Sequence, residues 1–206
     1  MAAIDTRIES RPEGDVAWVT IQNQEKANCL TSNLIGQLMA AFQALAAQPG
    51  LRLAVLTGVG DRSFIAGANL AELADFDEQG ARTYITALQH AIQAIRDLPV
   101  PVIARVNGAC IGAWLEVAIG CDIRIASNNA NFGMPEVMFD LPSVIEAALL
   151  PRMIGWGRTA WLLYRGDVID AETALDWGLV ESVVPLKDLD AAVAETVQTI
   201  LANGST

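Results

Sequence analysis

PVIARVNGACIGAWLEVAIGCDIRIAS, residues 101–127, decides the fold. The run 101–108 is apolar and β-rich, and two prolines, Pro99 and Pro101, set it off from what precedes it. Residues 112–120 read as a short apolar helix, and 121–127 as a further strand. Strand, glycine-containing turn, helix, strand is the unit from which parallel α/β sheets are built. In the middle stands one carboxylate, Glu116, among apolar and small residues. Burying an unpaired carboxylate is costly, so it either reaches water or has a task.

The same unit recurs on both sides. Residues 16–21, VAWVTI, follow the turn signal Pro12–Gly14 and read as a strand. Thr31 or Ser32 is placed to cap a helix with Leu34, Ile35, Leu38, Phe42 and Leu45 on its apolar face. LRLAVLTG, 51–58, is continuously apolar, as expected of a parallel strand covered on both faces. A glycine-dotted loop follows, and 78–98 form an amphipathic helix with Ile85, Leu88, Ile92, Ile95 and Leu98 on one stripe. Beyond Pro142 the pattern turns helical over 143–153, 157–164 and 170–177, with a last strand at 179–185. No linker divides the chain. The expectation is one α/β domain over 1–206, with a core of about 7–185 and a C-terminal helix over 186–203.

Composition narrows the function. The chain has 206 residues, net charge −11, a hydrophobic fraction of 52% and a charged fraction of 18%. Thirteen thinly spread basic residues do not make a nucleic-acid footprint. No stretch reads as a membrane span, and the acidic start is not a secretory signal. Cys29, Cys110 and Cys121, odd in number and in apolar settings, read as reduced packing cysteines of a cytoplasmic protein. The single histidine, His90, lies in a helical pattern, which leaves no multi-histidine metal site and only a remote Ser-His-Asp option.

What remains are two turns and two glutamates. Ala66-Gly67-Ala68-Asn69 and Gly108…Gly112-Ala113 each follow a buried run and precede a helix. Small residues let a ligand approach the backbone, and free N–H groups at a helix start can bind a negative oxygen. Two such turns side by side would form a backbone oxyanion hole; the alternative is a pair of tight connecting turns. Glu116 lies one helical turn past Ala113, and Glu136 follows a proline break and precedes the apolar Val137, Met138 and Phe139. Carboxylates in apolar surroundings suit general acid–base work, although a solvated Glu116 and a capping Glu136 fit the pattern too.

At this point the motifs resemble a family. VLTGVGDRSFIAGANLAEL (55–73), VNGACIGAWLEVAIGCDIRIAS (106–127), ANFGMPEV (130–137) and GDVIDAETALDWGLVESVVP (166–185) are similar to segments of the crotonase family, the enoyl-CoA hydratases and isomerases. QEKANCLTSNLIGQL (24–38) resembles its N-terminal segment. The resemblance implies an α/β spiral of ββα turns with a helical C-terminal region, a homotrimer or hexamer, and an acyl-CoA thioester substrate. It implies no cofactor, coenzyme A being part of the substrate. By motif position it assigns Glu116 and Glu136 as the catalytic pair and the N–H groups of Ala68 and Ala113 as the oxyanion hole. Lys26, Ala66, Asn69, Leu70 and Ala71 would line the CoA path. With both glutamates present, it points to hydration of a 2-enoyl-CoA. Isomerisation, other enolate chemistry of the same thioester, and non-catalytic acyl-CoA binding are the alternatives.

The chain departs from the family pattern in three places. Trp114 stands where glycine is usual, and Glu146 lies in LPSVIEAALLPRMIG (141–155) where a glycine-rich segment is usual. Both are candidates for shaping the acyl pocket. The further C-terminal helices of family members are also missing from this sequence.

Overall fold

A computed structural model of the chain describes residues 2–67, 69–143 and 145–204. The chain opens with an antiparallel hairpin, β1 (Ala3–Arg11) and β2 (Gly14–Gln22), and α1 (Ser32–Ala46) follows. Thr31 caps α1, its hydroxyl accepting from the Leu34 N–H at 3.3 Å. Next come β3 (Leu51–Gly58), β4 (Ser63–Ala66), α2 (Leu70–Ala74) and α3 (Glu78–Arg96). The unit then repeats as β5 (Val102–Val106), β6 (Ala109–Ile111) and α4 (Ala113–Ile119), and begins again with β7 (Ile123–Ser127) and β8 (Asn131–Gly133). The C-terminal part holds α5 (Leu150–Ile154), α6 (Trp156–Arg165), β9 (Val168–Asp170), α7 (Ala171–Trp177), β10 (Ser182–Val184) and α8 (Leu189–Ala202).

The first strand of each ββα unit joins a six-stranded sheet of order β1-β2-β3-β5-β7-β10, parallel from β2 onward. The second joins a smaller sheet, β4-β6-β8-β9, in which only the β8–β9 pair is antiparallel. This is the α/β spiral of ββα turns. The apolar run of β3 has two faces to fill. Leu53 and Val55 meet Leu189, Val193 and Val197 of α8. Ala54 and Leu56 face the core shared with Leu34, Leu38 and Phe42 of α1 and Leu88 and Ile92 of α3. Both faces being covered explains the absence of polar alternation.

Three expectations change. The loop after β3 contains the strand β4 and the short helix α2. Ile85 is exposed, because Tyr84 and Ala91 complete the buried face of α3 with Leu88, Ile92 and Ile95. Residues 3–11, with no apolar run, form the edge strand β1 by pairing with β2.

Candidate active site

The smaller sheet gathers the site. Ala66 ends β4 opposite Ile111 of β6, and Ile111 is opposite Gly133 of β8. The carboxyl ends of three adjacent parallel strands therefore deliver the Gly67 turn, the Gly112 turn and the 3-10 turn Pro135–Phe139 to one place. In open α/β sheets this is where ligands bind. The Gly112 N–H donates to the Gly133 carbonyl at 2.7 Å, which fastens two of the turns together.

Two buried asparagines hold the third. The Asn28 amide donates to the carbonyls of Val59 and Ser63, both at 2.9 Å. The Asn107 amide donates to Gly60 at 2.8 Å and Ser63 at 3.0 Å. The Ala66 N–H donates to the Ala27 carbonyl at 3.0 Å. The loop before β4 is thus tied to the N-terminal segment on one side and to β5 on the other, which sets the position of Gly67. Gly67 adopts φ +78°, with open space where a side chain would stand.

Gly112 precedes α4 with φ 73° and ψ −146°, a conformation reserved almost wholly for glycine. A Cβ added there would lie 2.9 Å from Oε1 of Glu136. The Glu136 carboxylate therefore occupies the space that the missing side chain leaves. Its other oxygen, Oε2, is 3.4 Å from the Ser143 hydroxyl. Burial raises the Glu136 pKa above the ordinary carboxylate value; its own N–H, the Ser143 hydroxyl and the Ala113 N–H oppose the rise. Glu136 thus faces the helix start that the resemblance assigned as an oxyanion donor.

Ala113 is the first residue of α4 and Glu116 lies one turn further on, only 1% exposed. Every residue from Trp114 to Ile119 is buried, so Glu116 does not snorkel to bulk water. The far end of α4 is pinned by Arg124, 4% exposed. Its guanidinium donates to the carbonyl of Cys121, just past α4, at 2.7 Å and to that of Leu179 at 3.0 Å, lies 3.5 Å from the Ala118 carbonyl of α4, and pairs with Glu181. Cations at a helix C-terminus satisfy carbonyls and complement the dipole, so Arg124 helps fix the helix that carries Glu116.

The sequence-assigned residues divide as follows. Ala113 and Glu136 come together at the Gly112 turn, and Glu116 is buried one helical turn past Ala113. Ala66 ends β4, and Asn69 precedes α2 without a side-chain capping bond. Leu70 and Ala71 lie in α2, their side chains outside the described residues. Lys26 is exposed in the segment beside Ala27. Ala68 and the Glu146 side chain lie outside the described residues. Trp114 is fully buried, and its indole N–H has no partner among the described residues. The apolar flank expected for Glu136 is corrected: Val137, Met138 and Phe139 are exposed. The desolvation of Glu136 comes instead from the turns packed around it. Sequence reading missed Ser143, because nothing local marks a serine seven residues on as a partner of Glu136.

The ββα spiral, with Glu136 set against its Gly112 turn, places the chain in a class of enzymes that act on acyl-CoA thioesters. The chain belongs to the enoyl-CoA hydratase/isomerase family, whose model matches residues 11–206. It is 36% identical over 193 residues to the crotonyl-CoA hydratase of Syntrophomonas wolfei, covering 93% of this chain and 74% of that protein. It is also 36% identical to the (E)-benzylidenesuccinyl-CoA hydratase of Thauera aromatica, covering 88% and 72%. Among solved structures, the enoyl-CoA hydratase of Bacillus anthracis superposes with a TM-score of 0.92 at 32% identity, covering 98% of this chain and 78% of that one.

Proposed function

We propose that the chain is an enoyl-CoA hydratase using Glu116 and Glu136 on a water held between them. The observation that carries this reading is the packing of the Glu136 carboxylate against the Gly112–Ala113 turn, which opens the helix that buries Glu116. The thioester carbonyl takes the Ala113 N–H as one donor and the Ala68 N–H as the other. As the C2–C3 double bond is attacked, charge builds on that oxygen, where helix-start N–H groups stabilise it. Water adds its oxygen to C3. One carboxylate takes the water proton and the other, as the acid, gives a proton to C2. The desolvation that raises the Glu136 pKa favours its protonated form, as the acid of this step requires. The chain's residues carry out this sequence without a further cofactor.

Lys26, Ala66, Asn69, Leu70 and Ala71 line the CoA path in this reading, and Trp114 and Glu146 bear on the acyl end. A homotrimer or hexamer is the assembly proposed. The exposed Met138, Phe139, Trp156, Trp161 and Tyr164 support a subunit contact, since monomers seldom leave so much aromatic surface in water. Three free, buried thiols fit a cytoplasmic setting. No helix among the described residues is long and apolar enough to cross a membrane.

The test is turnover of crotonyl-CoA in ¹⁸O-labelled water. Hydration yields 3-hydroxybutyryl-CoA carrying one heavy oxygen. A product of unchanged mass indicates isomerisation, and saturable binding without turnover indicates a carrier; either refutes the hydratase reading.

A further inference from the structure

Ser143 stands at a turn with unusual backbone. The N–H groups of Asp140 and Leu141 both return to the Glu136 carbonyl, the latter at 3.1 Å. Asp140 is left-handed at φ 55°, and Ile145 is left-handed at φ 61°. A β-branched residue in that region is strained, and such strain persists only where the surroundings dictate it. Here they do: Ile145 begins the turn Ile145–Leu149, which packs on α4, the helix of Glu116. Asp140 and Leu141 are thus tied to the Glu136 carbonyl, Ile145 begins a turn against α4, and Ser143 reaches the Glu136 carboxylate. Oε1 of Glu136 lies against Gly112 and Oε2 against the Ser143 hydroxyl, so the two oxygens are no longer equivalent.

We infer that Ser143 is a positioning residue for Glu136, its hydroxyl holding the carboxylate in one rotational setting over the Gly112 turn. This rests on the hydratase reading for the role of Glu136. A donor to the ionised carboxylate favours ionisation and counters burial. The charged groups around Glu136 include Asp140 at the end of its own turn, Glu116 of α4, Arg158 and Arg165 of α6, and Asp167 and Asp170 at β9. Arg158 pairs with Asp176 and lies over Trp177; Arg165 pairs with Asp167 and lies over Trp161; Asp170 caps α7. Burial dominates the Glu136 shift, and Ser143 is the side-chain donor that opposes it, alongside the N–H groups of Glu136 and Ala113.

The experiment compares Ser143→Ala and Ser143→Thr with the wild type by the pH dependence of kcat and by carboxyl ¹³C titration of Glu136, its signal identified by loss in Glu136→Gln. Ser143→Ala should lower kcat by roughly 3–10-fold with little change in KM. It should move both the Glu136 limb of the pH profile and the NMR titration to higher pH. Ser143→Thr, which keeps the hydroxyl, should restore both. A Ser143→Ala protein whose Glu136 titrates as in the wild type overturns the inference, as does a threonine variant that behaves like alanine. The NMR titration decides the role of Ser143 even if crotonyl-CoA is not turned over, in which case only the hydratase reading falls.

Discussion

Replacing Gly112 with alanine tests two consequences of one residue at once. Its φ of 73° and ψ of −146° leave an L side chain in a region costing about 1–3 kcal/mol. For a chain of this size each kcal/mol lowers Tm by about 2–4 °C, so Gly112→Ala should melt about 2–12 °C lower. The second consequence is steric. The new Cβ would stand 2.9 Å from Oε1 of Glu136, and ordinary contact begins near 3.4 Å, so the carboxylate must retreat by about half an ångström. Displacements of 1 Å cost catalysis about 100-fold, which puts the expected loss of kcat at about tenfold or more. Gly155 supplies the matched control. It has φ 80° and ψ 161° at the start of α6, with nothing within 4 Å of an added Cβ. Gly155→Ala should show a similar fall in Tm with kcat unchanged. Differential scanning calorimetry and crotonyl-CoA hydration on both variants are the assays. If Gly112→Ala loses no more activity than Gly155→Ala, the Gly112 backbone does not place Glu136.

Two further variants probe the buried polar groups. Trp114→Phe removes an indole N–H that has no partner among the described residues, which offsets part of the lost packing. It should cost less than about 1 kcal/mol by denaturant unfolding, against about 3–5 kcal/mol for Trp114→Ala; equal losses would mean the indole N–H is paired. Glu136 has a pKa raised by burial, so its stabilising contribution is present while it is protonated and fades as pH rises through the folded-state value. Glu136→Gln should therefore match the wild type in Tm near pH 4 and exceed it by pH 8, while losing turnover; parallel Tm curves would contradict the burial argument.

Much of this arrangement was legible along the chain because period and composition coincide there. The runs at 51–58 and 101–108 announce strands buried on both faces, and the α8 and α1–α3 contacts are what bury them. The stripe of α3 was read one position off at Ile85, since Tyr84 fills the core-facing place and an aromatic with a hydroxyl gives a weaker periodic signal. β1 was illegible because an edge strand pairing on one side can be polar along most of its length. At the site, the glutamates and the Gly112–Ala113 turn stood out as chemistry in an apolar context. The approach of Glu136 to Gly112 did not, because it is made by strand register: β6 beside β8 brings residues 24 apart in the chain into contact. Ser143 was hidden for the same reason, its partner being reached by a strained reversal at Asp140 and Ile145 rather than by a helical or strand period.

The central claim is that Glu116, buried on α4, works with Glu136 on one water. Hydration of crotonyl-CoA by Glu116→Gln, an isosteric change in a helix pinned by Arg124, tests it most directly. The account predicts a fall in kcat of about 10²–10⁴-fold with KM and Tm little changed. A variant that hydrates within a few-fold of the wild-type rate would contradict it.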